Sequence, residues 1–224
     1  MRLDDAVDEL RAVADPTRKP EMARVGINVE RALGVSVPNI RRIAKLFGTD
    51  QALALELWET AIHEARILAV LVADHREMTP AARDRWVVDI DSWDVCDFAA
   101  DLFGQMPRAE RTIKAWARRP EPYVKRCAFS MIARAAVREK TWGDARFERF
   151  LPSIRRASTD ERNEVRKAVN WALRQIGKRN RALRARAIDE AEEILAIGTR
   201  SARWIARDAL RELRNTETIA RIRS

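Results

Sequence analysis

Apolar residues fall at helical spacing along almost the whole chain, and that periodicity constrains the fold more than any other feature. In Asn39–Phe47 the apolar positions Ile40, Ile43, Ala44 and Phe47 fall at i, i+3, i+4, i+7, the spacing of one helix face. Gly48-Thr49-Asp50 interrupts it, and Ala52, Leu55 and Leu57 open the next helix. His63 to Ala73 is a nearly continuous apolar helix ending at Asp74-His75. Thr79-Pro80 reads as a start, with Thr as the N-cap and Pro at the first helical position. Breaks follow at Met106-Pro107, Arg119-Pro120, Trp142-Gly143 and Leu151-Pro152. Ser158-Thr159-Asp160-Glu161 starts a helix running towards Gly177. Another begins near Asn180, and Gly198-Thr199 separates it from a helix through Trp204 and Leu210. With only 7 Gly and 8 Pro in 224 residues, there is too little turn chemistry for an all-β chain.

The segments between breaks pair into helical hairpins with a loose unit of about 35 to 45 residues, the length of HEAT- or armadillo-like helix pairs. Such pairs cannot bury their apolar faces alone, so they stack into a curved solenoid with a concave surface. The expected fold class is therefore all-α, a HEAT-like helical-repeat solenoid; an irregular helical bundle is the alternative. No composition shift or low-complexity linker marks a boundary, so residues 1–224 are expected to form one domain.

Charge is unevenly spread over this framework. The chain carries a formal net charge of +9. From Ser153 to Ser224 there are 18 basic and 10 acidic residues, whereas Met1 to Pro152 has 25 and 24. A one-sided positive balance favours a phosphate backbone or another polyanion as partner, although Arg-rich helices laced with i,i+4 ion pairs would give the same count. Cys96 and Cys127 make neither a zinc spacing nor a disulfide framework, and both read as buried fillers in a reducing cytoplasm. The first residues, MRLDDAVDELRAV, lack the apolar stretch of a signal peptide, and no window reaches the length of a membrane span. A cytoplasmic, monomeric protein with no membrane contact, metal or cofactor is expected.

Familiar enzyme signatures are missing. There is no Gly-rich phosphate loop and no G-x-S-x-G, and His63-Glu64-Ala65-Arg66 lacks the second histidine of a zinc-binding helix. His63 reads as a structural hydrogen-bonding residue at a helix start. Any chemistry must rest on carboxylates, arginines and aromatics. Seven Trp stand beside a single Tyr, and most tryptophans in helical repeats pack the core. Two have more suggestive surroundings. In Ser92-Trp93-Asp94-Val95-Cys96-Asp97, Trp93 and Asp97 share a helix face at i,i+4. A carboxylate beside an indole favours a cation, the acid through its charge and the ring through its quadrupole; spacing alone equally fits Asp97 as a cap or ion pair and Trp93 as core. In the run from Arg166 to Asn180, Arg166, Lys167, Arg174 and Lys178 bracket Trp171, an arrangement suited to phosphates and a nucleoside together, or else to a solvated basic face with one buried indole.

At these residues the chain resembles the AlkD-type family of bacterial DNA alkylation-repair glycosylases. Gly34-Val35-Ser36-Val37-Pro38-Asn39-Ile40-Arg41-Arg42 is similar to the family's early turn and helix, and Leu57-Trp58 with His63-Glu64-Ala65-Arg66 looks like its second hairpin. Ser92 to Asp97 resembles its W-D-x-[VC]-D signature, Val124-Lys125-Arg126-Cys127-Ala128 its R-R-x-A helix, and Ala168 to Arg174 its A-[IV]-x-W-x-L-R helix. The motifs are weak singly and specific in this order.

The resemblance implies a HEAT-like solenoid holding double-stranded DNA in a concave basic cleft, and excision of N3- or N7-alkylated purines without extruding the base, unlike most glycosylases. It implies Asp97 as catalytic carboxylate, Trp93 and Trp171 as aromatic walls beside the lesion, and Arg126 as the cation holding phosphate nearby. Lys125, Arg166, Arg174 and Lys178 are expected to contact DNA as well. Two departures stand out: Val25 replaces a tyrosine frequent before the early glycine turn, and Ser92 stands where some members carry a second tryptophan. A non-catalytic DNA-binding module of the same fold, reading DNA shape or junctions, is the alternative. A protein-binding scaffold is a third reading, opposed by the basic last third.

Overall fold

Helices start where the sequence supplies a cap. Ser36, Asp50, Thr79, Asn180 and Thr199 each accept a hydrogen bond from the backbone N–H three residues on, at 2.8–3.4 Å. Each bond satisfies one of the four donors that a helix N-terminus leaves without an intrahelical acceptor. The computed structural model describes residues 2–221, and among these the regular structure is all helical. By backbone proximity the chain divides into two compact units, Met1–Pro107 and Arg108–Ser224.

The first unit comprises α1 (Arg2–Ala12), a single 3-10 turn (Pro16–Arg18), α2 (Lys19–Arg24), α3 (Val37–Phe47), α4 (Gln51–Glu59), α5 (His63–Val72), α6 (Pro80–Asp89) and α7 (Trp93–Phe103). Its centre is α5, which packs on α1, α3, α4 and α7. Eight of its ten residues are buried, as a helix apolar on nearly every side requires. Its first turn ties the unit together. The buried Glu64 carboxylate accepts the backbone N–H groups of Leu33, Gly34 and Val35 at 2.8, 2.7 and 3.1 Å, and the His63 N–H donates to the Arg31 carbonyl. Gly34 is obligatory here: its φ is +83°, and a Cβ would stand 2.0 Å from the Asp15 carbonyl oxygen.

The second unit comprises α8 (Ala109–Trp116), α9 (Pro122–Arg138), α10 (Asp144–Glu148), α11 (Leu151–Ala157), α12 (Asn163–Gly177), α13 (Arg181–Ile197), α14 (Arg200–Leu213) and α15 (Thr216–Arg221). Helices α9, α12 and α14 pack in sequence, α9 on α12 and α12 on α14. They run parallel, since residues 126 and 134 of α9 meet 164 and 171 of α12, while 166, 170 and 174 of α12 meet 204, 208 and 212 of α14. Helices α8, α11 and α13 back them as the other arm of each hairpin. This is the stacked-hairpin arrangement expected for a helical repeat.

Side-chain bonds between successive hairpins reveal a period that the sequence shows poorly. In the first unit two of them join residues 31 apart, Trp58 Nε1 to Asp89 and His63 to Asp94; in the second several join residues 35 to 38 apart, such as Lys125 to Asp160 and Asn170 to Asp208. The first unit's period is thus shorter than the expected unit. One helix start also moves. Helix α12 begins at Asn163, not at Ser158, because Asp160 turns its carboxylate onto the Arg162 backbone N–H and side chain and onto Lys125, closing a turn ahead of the helix. Cys96 and Cys127 are both buried, as fillers of the apolar interior should be.

Candidate functional site

On α7 the apolar residues Val95, Cys96, Ala99, Leu102 and Phe103 are buried. Their helical phase leaves Trp93 and Asp97 together on the opposite side. Trp93 is 36% exposed and Asp97 half-buried, so Trp93 is not the core filler that spacing alone allows. By contrast, Trp58 and Trp86 are fully buried and stack with centroids 4.2 Å apart and planes 3° apart, as packing residues do.

The start of α7 is held from two directions. Asp94 pairs with His63 Nε2 at 2.9 Å, and its other oxygen accepts the Val95 N–H. Burial is the largest influence on His63 and opposes its charge. The hydrogen bond and charge of Asp94, with Glu64 and Asp91 behind it, outweigh that and raise the pKa above 6.5. Ser92, fully buried, uses its hydroxyl to accept the Asn28 backbone N–H at 2.9 Å. The loop anchored in this way returns Val25 to the indole: Trp93 Nε1 donates to the Val25 carbonyl at 3.2 Å, and the Val25 side chain is 48% exposed. Both departures from the family pattern, Val25 and Ser92, therefore lie directly around Trp93. A bulkier residue at 92 would lose the hydroxyl anchor and would have to displace the buried surroundings.

In the second unit Trp171 is half-buried on α12. With the Gln175 amide oxygen turned towards it, Trp171 Nε1 donates to Gln175 at 3.1 Å, and Lys178 donates to the same oxygen at 3.3 Å. The cation beside the ring is Arg134 of α9, its guanidinium carbon 5.4 Å from the ring centroid. Arg134 Nε is buried without an acceptor, and no carboxylate pairs with Arg134 among the described residues. Reading the sequence by motif misses this residue. It lies two turns beyond the motif at Val124–Ala128, on a helix of 17 residues.

Arg126 itself is only 5% exposed and donates from Nη1 to the Glu164 carbonyl at 2.9 Å, joining α9 to the first turn of α12. The other cations expected to meet DNA also have intramolecular partners. Lys125 pairs with Asp160 at 3.0 Å. The Asp160 pKa is driven far below the ordinary carboxylate range, first by Arg162 and then by Lys125, against the burial that opposes them. Arg174 and Lys178 both pair with Glu212 of α14, at 2.6 and 2.7 Å. Burial disfavours the Glu212 carboxylate, yet Lys178 and Arg174 hold its pKa below 4.5. Arg166 lies over the Trp204 ring at 4.7 Å and donates to Asn163. Among the described residues no group of three or more His, Cys, Asp or Glu is placed to hold a metal ion, and no helix is long and apolar enough to cross a membrane.

Comparison with known proteins assigns the chain to a family. The family model described as DNA alkylation repair enzyme matches residues 6–213. The chain belongs to the DNA alkylation repair enzyme family. No curated protein matches it. Among solved structures it is similar to one described as "a new family of proteins related to the HEAT-like repeat DNA glycosylases with affinity for branched DNA structures", at a TM-score of 0.76 and 20% identity over 85% of this chain and 82% of that one. That likeness establishes a HEAT-like repeat fold. A designed armadillo repeat protein also matches, at 14% identity and a TM-score of 0.43 over 94% of this chain and 99% of the other.

Proposed function

We propose that this member of the family is a DNA N-glycosylase that releases cationic N3- and N7-alkylated purines from duplex DNA without flipping the base. The observation that carries the proposal is the pairing of a solvent-facing indole with a carboxylate one turn away on α7, Trp93 with Asp97, on a helix whose buried residues leave that pair turned outward.

The chemistry asks little more of the protein. An N-alkylated purine already carries a positive charge, so its glycosidic electron pair departs with the base and neutralises it, and no general acid is needed. The sugar left behind is oxocarbenium-like at C1′. Asp97 stabilises that developing charge and orients the water whose oxygen bonds to C1′ as its proton passes to surrounding solvent. Trp93 contributes through its ring face, worth about 0.5–2 kcal/mol to a cation. In the second unit, Trp171 supplies another indole and Arg134 an unmatched cation for the nucleic acid. Lys125, Arg126, Arg166, Arg174 and Lys178 add positive potential from positions tied into the fold, with Arg134 as the direct phosphate ligand.

Incubating the protein with duplex DNA carrying 7-methylguanine or 3-methyladenine and measuring free base tests the proposal. Release by wild type and its loss in Asp97→Asn is the expected result. A second reading has an observation of its own. The similar solved structure is described by its affinity for branched DNA, and here Val25 leaves the indole without a neighbouring aromatic. Salt-sensitive binding to duplexes or junctions with no base released would replace the glycosylase by a shape-reading DNA binder.

A further inference from the structure

Helix α14 carries a second aromatic–cation surface, separate from Trp93, Asp97 and Trp171. Its buried face is Ser201, Ala202, Ile205, Ala206, Ala209, Leu210 and Leu213. The opposite face lines a shallow hollow of about 630 Å³ with Arg200, Arg203, Trp204, Arg207, Asp208 and Arg211. Trp204 is 38% exposed there and is the hollow's sole apolar side chain. The guanidinium of Arg166 lies 4.7 Å from its centroid, which fixes the ring as a platform. The charge around it is mainly positive, with Asp208 the one carboxylate in the lining. Asp208 is engaged by Asn170, Arg174 and Arg211, Arg203 donates to the Gly198 carbonyl, and Arg200 and Arg207 have no carboxylate partner among the described residues.

We infer that this hollow binds a single-stranded DNA segment, an unpaired base stacking on Trp204 while Arg200, Arg203 and Arg207 take the flanking phosphates. A lone indole amid arginines with no aliphatic rim is poorly suited to a lipid or an apolar protein surface, and an acidic peptide would leave the ring unmatched. A duplex hides its base faces in the stack, so only an unpaired base offers the ring a π-face. One turn of helix, about 5.4 Å, separates the successive arginines, comparable with the phosphate step of an extended strand. Nothing in this site requires excision chemistry.

The test uses the full chain and a labelled oligothymidylate, with the matching duplex and oligouridylate as parallel probes, followed by fluorescence anisotropy across a salt series. Trp204→Ala should weaken oligothymidylate binding about tenfold, Trp204→Tyr should restore most of it, and duplex affinity should stay within about twofold of wild type. Arg200→Ala with Arg207→Ala should flatten the salt dependence by roughly 0.7 for each phosphate no longer neutralised. Circular dichroism melting confirms folding of each variant. Equal losses on duplex and single strand, unchanged oligothymidylate binding by Trp204→Ala, or preference for oligouridylate would each overturn the inference. Oligothymidylate binding is measured without any base release, so failure here and failure of the glycosylase proposal are told apart.

Discussion

Trp93 is oriented by a main-chain carbonyl, that of Val25, and not by a neighbouring side chain. Its contribution can therefore be removed without disturbing residue 25. Trp93→Ala is expected to lower single-turnover base release by about 2- to 30-fold, the range of one cation–π interaction, with a melting temperature close to wild type because the ring is partly exposed. A loss of stability larger than the loss of rate would return Trp93 to the core. His63 sits behind α7 and titrates with a raised pKa. A raised folded pKa means that the protonated ring contributes stability fully below about pH 6.5, its ordinary value, and that this contribution fades as pH rises through the higher folded value. Thermal midpoints between about pH 6 and pH 8 should fall more steeply for wild type than for His63→Gln; parallel curves would show that the His63–Asp94 pair carries no charge. The sequence made Trp93 and Asp97 legible because i,i+4 proximity is local. Arg134 was not legible, since its meeting with Trp171 depends on how two parallel helices, 37 residues out of step, are set against each other.

Local chemistry explains which element boundaries could be read in advance. The starts of α3, α4, α6, α13 and α14 follow from caps within three residues, whereas α12 starts late because Asp160 closes a turn onto Arg162 while also holding Lys125, a residue 35 positions away. The same distinction separates ordinary loops from the one gripped by Glu64. Gly34→Ala places a Cβ against the Asp15 carbonyl at positive φ and should destabilise the first unit by about 1–3 kcal/mol or more, read as a lower denaturation midpoint. A neutral result would mean that the Glu64-bound loop can shift by more than an ångström. Between α12 and α14, Asn170, Arg174 and Lys178 form a ladder onto Asp208 and Glu212. Glu212→Gln leaves Lys178 without its counter-charge and Arg174 with Asp208 alone, and is expected to cost about 1–3 kcal/mol, while raising affinity for DNA because Lys178 is released.

Across the whole chain, a total of 43 Lys and Arg overstates the cations directly available to phosphate. Many of the basic side chains answer to carboxylates one hairpin away, as Lys125, Arg155, Arg174 and Lys178 do. Duplex binding should accordingly show a salt slope set by a few phosphates, each worth roughly 0.9 in the log–log plot, and Arg134→Ala should remove about one of them. A slope unchanged by that substitution would mean that Arg134 serves Trp171 alone.

The bonds between hairpins have a property that outlasts any single residue. Many reach forward about one period and stop, as the pairs 31 residues apart in the first unit and 35 or 38 apart in the second do. A chain wired in this way keeps strain on a short leash: a poor residue in one hairpin disturbs the pair on either side and little beyond. Surface loops at hairpin tips are free to drift, while the rungs that join neighbours must change in step.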